Sequence, residues 1–148
     1  MKNRFVRGRA GLTALGVAAF VAASSSIDAQ RDDVTPLSLQ PDHAVERRLD
    51  RGEAHRYALA LDAGTYARVI VEQRGVDVIA EVRGEDDATI AEIQGEIGTT
   101  GEEQVELVAG VAGTYVIVIR PAPANAAGAY AIRVSDVRPA GNADRARQ

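Results

Sequence analysis

From Ala44 onward, apolar residues recur at every second position in short runs bounded by Gly, Pro, Asp or Asn. Tyr57, Leu59 and Leu61 share one face of such a run. So do Val69 and Val71; Val76, Val78, Ala80 and Val82; Val105, Leu107 and Ala109; Tyr115, Ile117 and Ile119; and Tyr130, Ile132 and Val134. Arg56, Arg68, Glu72, Asp77, Glu81, Arg83, Glu106 and Arg133 fall between them. Successive side chains of a strand point to opposite faces, so this pattern predicts sheets with one face on a core and the other toward water. Strands are expected near 44–49, 55–61, 65–73, 76–83, 88–94, 103–109, 114–120 and 129–136. Their even spacing, with a turn signal between each pair, predicts an all-β chain: an eight-stranded antiparallel β-sandwich or jelly roll.

Two runs break the alternation. Residues 115–119 and 69–71 are apolar on both faces, which predicts central strands whose second face is also covered. The opening run, Ala44 to Leu49, is highly charged and is expected at a sheet edge, where charge deters pairing with other chains.

The first 29 residues follow a different logic. Lys2, Arg4, Arg7 and Arg9 precede an apolar stretch from Ala10 to Ala23, and a small-residue tail runs from Ser24 to Ala29. That layout predicts a signal peptide cleaved after Ala29. The apolar stretch is shorter than the roughly 20 residues a membrane-crossing helix needs. The expected organisation is therefore a signal peptide over 1–29, an extended lead-in over 30–43, the sandwich over 44–137 and a polar tail over 138–148. In that tail Asn142 is placed to cap a short helix.

The chain carries a net charge of −4 and no cysteine. Loss of the leader removes four basic residues and Asp28, which makes the remainder more acidic. An acidic domain without a basic stripe is repelled by phosphate backbones and anionic lipid, so nucleic acid and membrane surfaces are not expected partners. The lack of cysteine excludes disulfides, thiol nucleophiles, zinc–thiolate sites and a lipid-modified N-terminus.

A nucleophilic mechanism needs a hydroxyl beside a base. Beyond the leader, the serines are Ser38 and Ser135, neither in a Gly-x-Ser-x-Gly elbow, and the histidines are His43 and His55. Both histidines are read as solvated turn residues flanking the first strand, since neither has metal-ligand spacing. No catalytic residue is predicted. Of the carboxylates, Asp77, Glu85, Asp86 and Asp87 are the candidates for a weak Ca²⁺ site, the one cofactor considered, and solvated turns are the favoured reading. The chain has no tryptophan, and both phenylalanines lie in the leader, which leaves no aromatic platform for sugar binding.

One short pattern appears three times: Ala63-Gly64-Thr65-Tyr66, Ala112-Gly113-Thr114-Tyr115 and Ala127-Gly128-Ala129-Tyr130. In each, the glycine is expected to take a positive φ and the tyrosine to enter the next strand with its ring on the core, in the role of a tyrosine corner. Tyr57 joins them, so Gly64, Gly113, Gly128, Tyr57, Tyr66, Tyr115 and Tyr130 are predicted structural residues. A Gly113→Val change is then expected to destabilise by more than about 1 kcal/mol.

The stretch from Gly52-Glu53-Ala54-His55-Arg56-Tyr57, through Ala63-Gly64-Thr65-Tyr66 and Val76-Asp77-Val78, to Gly113-Thr114-Tyr115 and Ala127-Gly128-Ala129-Tyr130 resembles the bacterial pre-peptidase C-terminal (PPC) domain. It is most similar to the variant near the N-terminus of exported proteins that continue into tetratricopeptide repeats and a CHAT (caspase-like) peptidase domain. The resemblance implies a β-sandwich accessory module, itself without a catalytic residue. The chain is expected to be either a free-standing version or a remnant whose downstream partner is encoded separately. The expected function is an exported, periplasmic or secreted, non-catalytic interaction module whose partner is a protein of the cell envelope. The alternatives are a Ca²⁺-stabilised binding module and the N-terminal regulatory piece of a split repeat/CHAT peptidase system.

Overall fold

Nine strands and one short helix are present in the computed structural model, which describes residues 35–95, 98–122 and 126–147. The leader expected over 1–29 lies outside the described residues, as does part of the 121–127 connection. The strands are β1 (Leu37–Ser38), β2 (Val45–Leu49), β3 (His55–Leu61), β4 (Thr65–Arg74), β5 (Val78–Arg83), β6 (Thr89–Ile93), β7 (Thr100–Val108), β8 (Gly113–Pro121) and β9 (Gly128–Pro139). They form two sheets, ordered β1-β3-β8-β5-β6 and β2-β9-β4-β7. The architecture is a β-sandwich, as the alternation predicts.

The expected eight strands become nine because the lead-in contributes β1. Leu37 and Ser38 pair with Tyr57 and Ala58, and Leu39 follows into the core. This pair is parallel, a departure from the all-antiparallel expectation, because the lead-in runs beside β3 in the same direction before turning into β2.

The residues that alternate in sequence meet between the sheets. Val69 and Val71 of β4, Val78, Ala80 and Val82 of β5, Ile117 and Ile119 of β8, and Tyr130 and Ile132 of β9 are fully buried in one cluster. Each such Val or Ile contributes roughly 1.5–3 kcal/mol relative to exposure. The doubly apolar runs occupy central positions, β8 within the five-stranded sheet and β4 within the four-stranded one, while the charged β2 lies on an edge.

Charged side chains supply the second cover on β8. Val118 is buried on the outer face between its cross-strand neighbours Arg56 and Glu81. Asp87, in the β5–β6 turn with a φ of 58°, holds Arg56 at 2.6 Å and Arg83 at 3.0 Å above that face. Asp tolerates this left-handed conformation better than most residues, and here it aims the carboxylate back over the sheet. The alkyl stems of the arginines exclude water from the valine while their heads stay ionised.

At the C-terminus, α1 (Asn142–Arg145) follows β9. Gly141 rather than Asn142 is its N-cap, and the Asp144 carboxylate accepts the Gly141 N–H at 2.8 Å.

Candidate functional site

The four calcium candidates do not share a site. Asp77 lies between β4 and β5, whereas Glu85, Asp86 and Asp87 lie between β5 and β6, at opposite ends of β5. A strand rises roughly 3.3 Å per residue, so the two positions stand more than about 20 Å apart. Asp77 is buried beside the N–H of Ala122, which bonds its carbonyl at 2.8 Å. Asp86 accepts the Ala88 N–H at 3.1 Å, and Asp87 is held by its two arginines. Among the described residues no three His, Asp or Glu side chains converge in a way that could hold a metal ion.

His55 overturns the expectation of a solvated turn residue. It opens β3 with only 3% of its surface exposed, on the same face as Tyr57. Its Nδ1 lies 2.7 Å from the Tyr130 hydroxyl, and that hydroxyl also bonds the hydroxyl of Tyr57. Tyr130 belongs to β9, so these bonds join the two sheets through the core. On the other side of the ring, Nε2 lies 2.9 Å from Glu53 Oε1. The two are in contact, but no well-formed hydrogen bond joins them. Arg47 lies on β2, at the position paired with Tyr130, and its positive charge acts on Tyr57.

These surroundings set the ionisation of the group. Burial pushes both Tyr57 and Tyr130 above the usual phenol range, with the Tyr130 bond and Arg47 pulling Tyr57 partly back. The Asp50 N–H, bonded at 2.9 Å, and the nearby His55 hold Glu53 below the usual carboxylate value. Parity with Tyr57 marks His55 as inward-facing in the sequence, and Arg47 shares the parity of Val45 and Leu49 in the same way.

The three Gly–Tyr turns differ from one another. Gly64 has the expected positive φ, 75°, but Gly113 and Gly128 do not. Close approach constrains those two instead. A Cβ at Gly128 would stand 2.5 Å from the Gly75 carbonyl oxygen, and one at Gly113 would meet the Glu85 carboxylate at 2.5 Å. Tyr115 does make a tyrosine corner, its hydroxyl donating to the Val111 carbonyl at 3.0 Å. Tyr66 is the exception to the inward expectation. It lies an odd number of residues from Val69, so it faces outward, and it is buried under the Arg138 guanidinium, 4.2 Å from its ring centre. Arg138 in turn binds Asp144 at 2.6 and 3.0 Å, which ties α1 over the ring.

The exposed carboxylates are unevenly distributed. Glu46 and Glu72 bind Arg74, Glu92 binds Arg120, Glu102 binds Arg133 and Glu106 binds Arg68. Among the described residues, the exposed acids outside any ion pair are Asp42, Asp62, Glu85 and Asp86. They sit in the β1–β2, β3–β4 and β5–β6 turns. Gly64 bonds Ala109 at 2.7 Å, Leu61 pairs with Gly113, and Glu85 packs on Gly113, so the β3–β4 and β5–β6 turns gather with the β7–β8 turn at one end of the sandwich. That last turn presents Val111, 65% exposed. Arg145 reaches the same end beside Gly64.

No family model matches the chain, and no curated protein matches it. Among solved structures it is similar to the pre-peptidase C-terminal domain of a collagenase from Bacillus anthracis, with 16% identity and a TM-score of 0.55 over 68% of this chain and 94% of that one. The fold is PPC-like. It is also similar to PliG of Aeromonas hydrophila, a periplasmic inhibitor of g-type lysozyme, at 15% identity and a TM-score of 0.50 over 68% and 96% of the two chains.

Proposed function

We propose that this chain is an exported, non-catalytic β-sandwich module that binds a protein of the cell envelope through its acidic turn end. One observation carries the reading: the side chains suited to acid–base chemistry are enclosed, while the unpaired charge is offered outside. The imidazole of His55 and the hydroxyls of Tyr57 and Tyr130 are buried against one another, out of reach of a substrate. Asp62, Glu85 and Asp86 lie in turns at the same end as the exposed Val111, an arrangement suited to a basic protein surface. The similarity to PliG supports a protein partner, since that protein of the same architecture is described as a lysozyme inhibitor. A CHAT-domain peptidase or its helical repeats, the context implied by the sequence resemblance, is the first specific partner to test.

Export rests on the leader-like segment over 1–29. The binding reading is tested by affinity capture from the envelope fraction with three proteins. The wild type and Arg51→Glu, altered at the opposite end, are expected to retain the same partner, and Asp62→Lys/Glu85→Lys is expected to lose it. Equal capture by all three, or hydrolysis of peptide or glycoside substrates by the purified protein, would overturn the reading.

A further inference from the structure

The sheets end in β1 and β6 on one side of the core and in β2 and β7 on the other, and an open edge offers unpaired N–H and C=O groups to any chain that can pair with it. Three of these edges are blunted. β1 has two residues, β6 has five with a register shift against β5, and β2 has five with Arg47 and Arg48 beside Glu46. β7 has nine residues and no proline, and its register with β4 is unbroken from Tyr66 with Val108 to Arg74 with Thr100.

The direction of its free groups follows from the bonds at its two ends. The Ala109 N–H donates to the Thr65 carbonyl at 2.8 Å, and the Thr99 carbonyl accepts the Gly75 N–H at 2.7 Å. Alternate residues of an antiparallel strand bond the same neighbour, so the odd-numbered residues from Thr99 to Ala109 face β4. Glu102, Gln104, Glu106 and Val108 therefore turn their N–H and C=O groups away from the sheet, and among the described residues no strand takes them up.

Side chains decide which chain fits this edge. Val105 and Leu107 enter the core, so Glu102, Gln104 and Glu106 lie on the outer face, and every ionisable residue of β7 is acidic. The arginines paired with these acids, Arg68 on β4 and Arg133 on β9, stand farther inside the sheet, so an arriving strand meets the carboxylates first. A second copy is repelled. Antiparallel pairing of two β7 strands about Gln104 sets Glu102 opposite Glu106, and like charges directly opposite are destabilising. On the core side the neighbour of β7 is the edge strand β6, whose Ala91 and Ile93 are only partly buried.

We propose that β7 is a strand-addition site for an extended segment of a partner protein in which lysine or arginine alternates with apolar residues. The basic side chains lie beside Glu102 and Glu106, and the apolar ones turn toward Ala91 and Ile93. Main-chain bonds to the outward groups of β7 supply the affinity, and the two faces supply the selectivity. This surface is separate from the acidic turns of the proposed function.

Amide exchange read residue by residue by NMR tests it, with a capped peptide of about eight residues alternating valine and lysine as the probe. In excess, the peptide is expected to slow exchange about fivefold or more at Glu102, Gln104, Glu106 and Val108. A valine–glutamate peptide, and the lysine peptide N-methylated throughout, should leave exchange unchanged. Gln104→Pro removes an outward N–H that β4 does not use, so the sheet should stay folded while the slowing is lost. Glu102→Lys/Gln104→Lys keeps every backbone group and should respond to the glutamate peptide instead. Equal slowing by the lysine and glutamate peptides, or an equal response to the lysine peptide from the wild type and both variants, would overturn the proposal. So would slowing of the same four amides in the free protein as its concentration is raised, since β7 would then pair with a second copy.

Discussion

The Tyr130 hydroxyl meets Nδ1 of His55 at 2.7 Å and so ties a strand of one sheet to a strand of the other inside the core. Tyr130→Phe removes the one hydroxyl bonded to both His55 and Tyr57, and leaves two buried polar groups without a partner. The expected loss is about 1–3 kcal/mol, by urea denaturation. Tyr115→Phe breaks one part-buried bond to a carbonyl and should cost only about 0.5–1.5 kcal/mol. If the Tyr130 variant matches wild type, the buried hydrogen bonds are misplaced.

Glycine substitutions separate positive φ from close approach. Gly128→Ala drives a methyl into the Gly75 backbone, which has no room to yield, and should destabilise by about 2 kcal/mol or more. Gly64→Ala should cost roughly 1 kcal/mol through its φ of 75°. Gly113→Ala meets the far end of an exposed glutamate, which can swing away, so its melting temperature should stay near wild type. A larger loss at Gly113 than at Gly128 would contradict this order.

The Asp144 clamp gives a pH dependence of known sign. The Arg138 guanidinium and the Gly141 N–H hold the Asp144 carboxyl well below its usual value. A depressed carboxylate stabilises the folded state above the unfolded value, about 3.9, and that stability is lost as pH falls through the lower folded value. Asp144→Asn should therefore melt below wild type at neutral pH, with the gap narrowing toward about pH 2. A gap independent of pH would show that the clamp acts through packing alone.

Calcium should not stabilise this domain. Because Asp77 stands at the other end of β5 from Glu85, Asp86 and Asp87, melting curves with calcium and with chelator should coincide. A rise in midpoint with calcium would place the ion among the free acids of the turn end, Asp62, Glu85 and Asp86.

Period-two patterning made the sandwich, its central strands and its charged edge legible, because burial on one face writes alternation directly into composition. The same parity held the facing of Tyr66 and His55, but residue type overrode it: an aromatic at a strand start was assigned to the core, and a histidine beside a turn to solvent. Leu37–Ser38 gave too short a run to mark β1. The constraint on Gly128 was invisible for another reason, since it comes from Gly75, which is remote in sequence and brought near by pairing with Ala129. Ion pairs between strands, such as Asp87 with Arg56, likewise depend on register, and that register determines which acids remain free at the turn end.

Hydrogen exchange on the protein bound to its captured envelope partner tests the central claim most directly. The account predicts new protection at residues 62–64, 84–88 and 109–112, with little change at 50–54 or 75–77. Protection confined to 50–54 and 75–77, with the acidic turns exchanging as in the free protein, would contradict it.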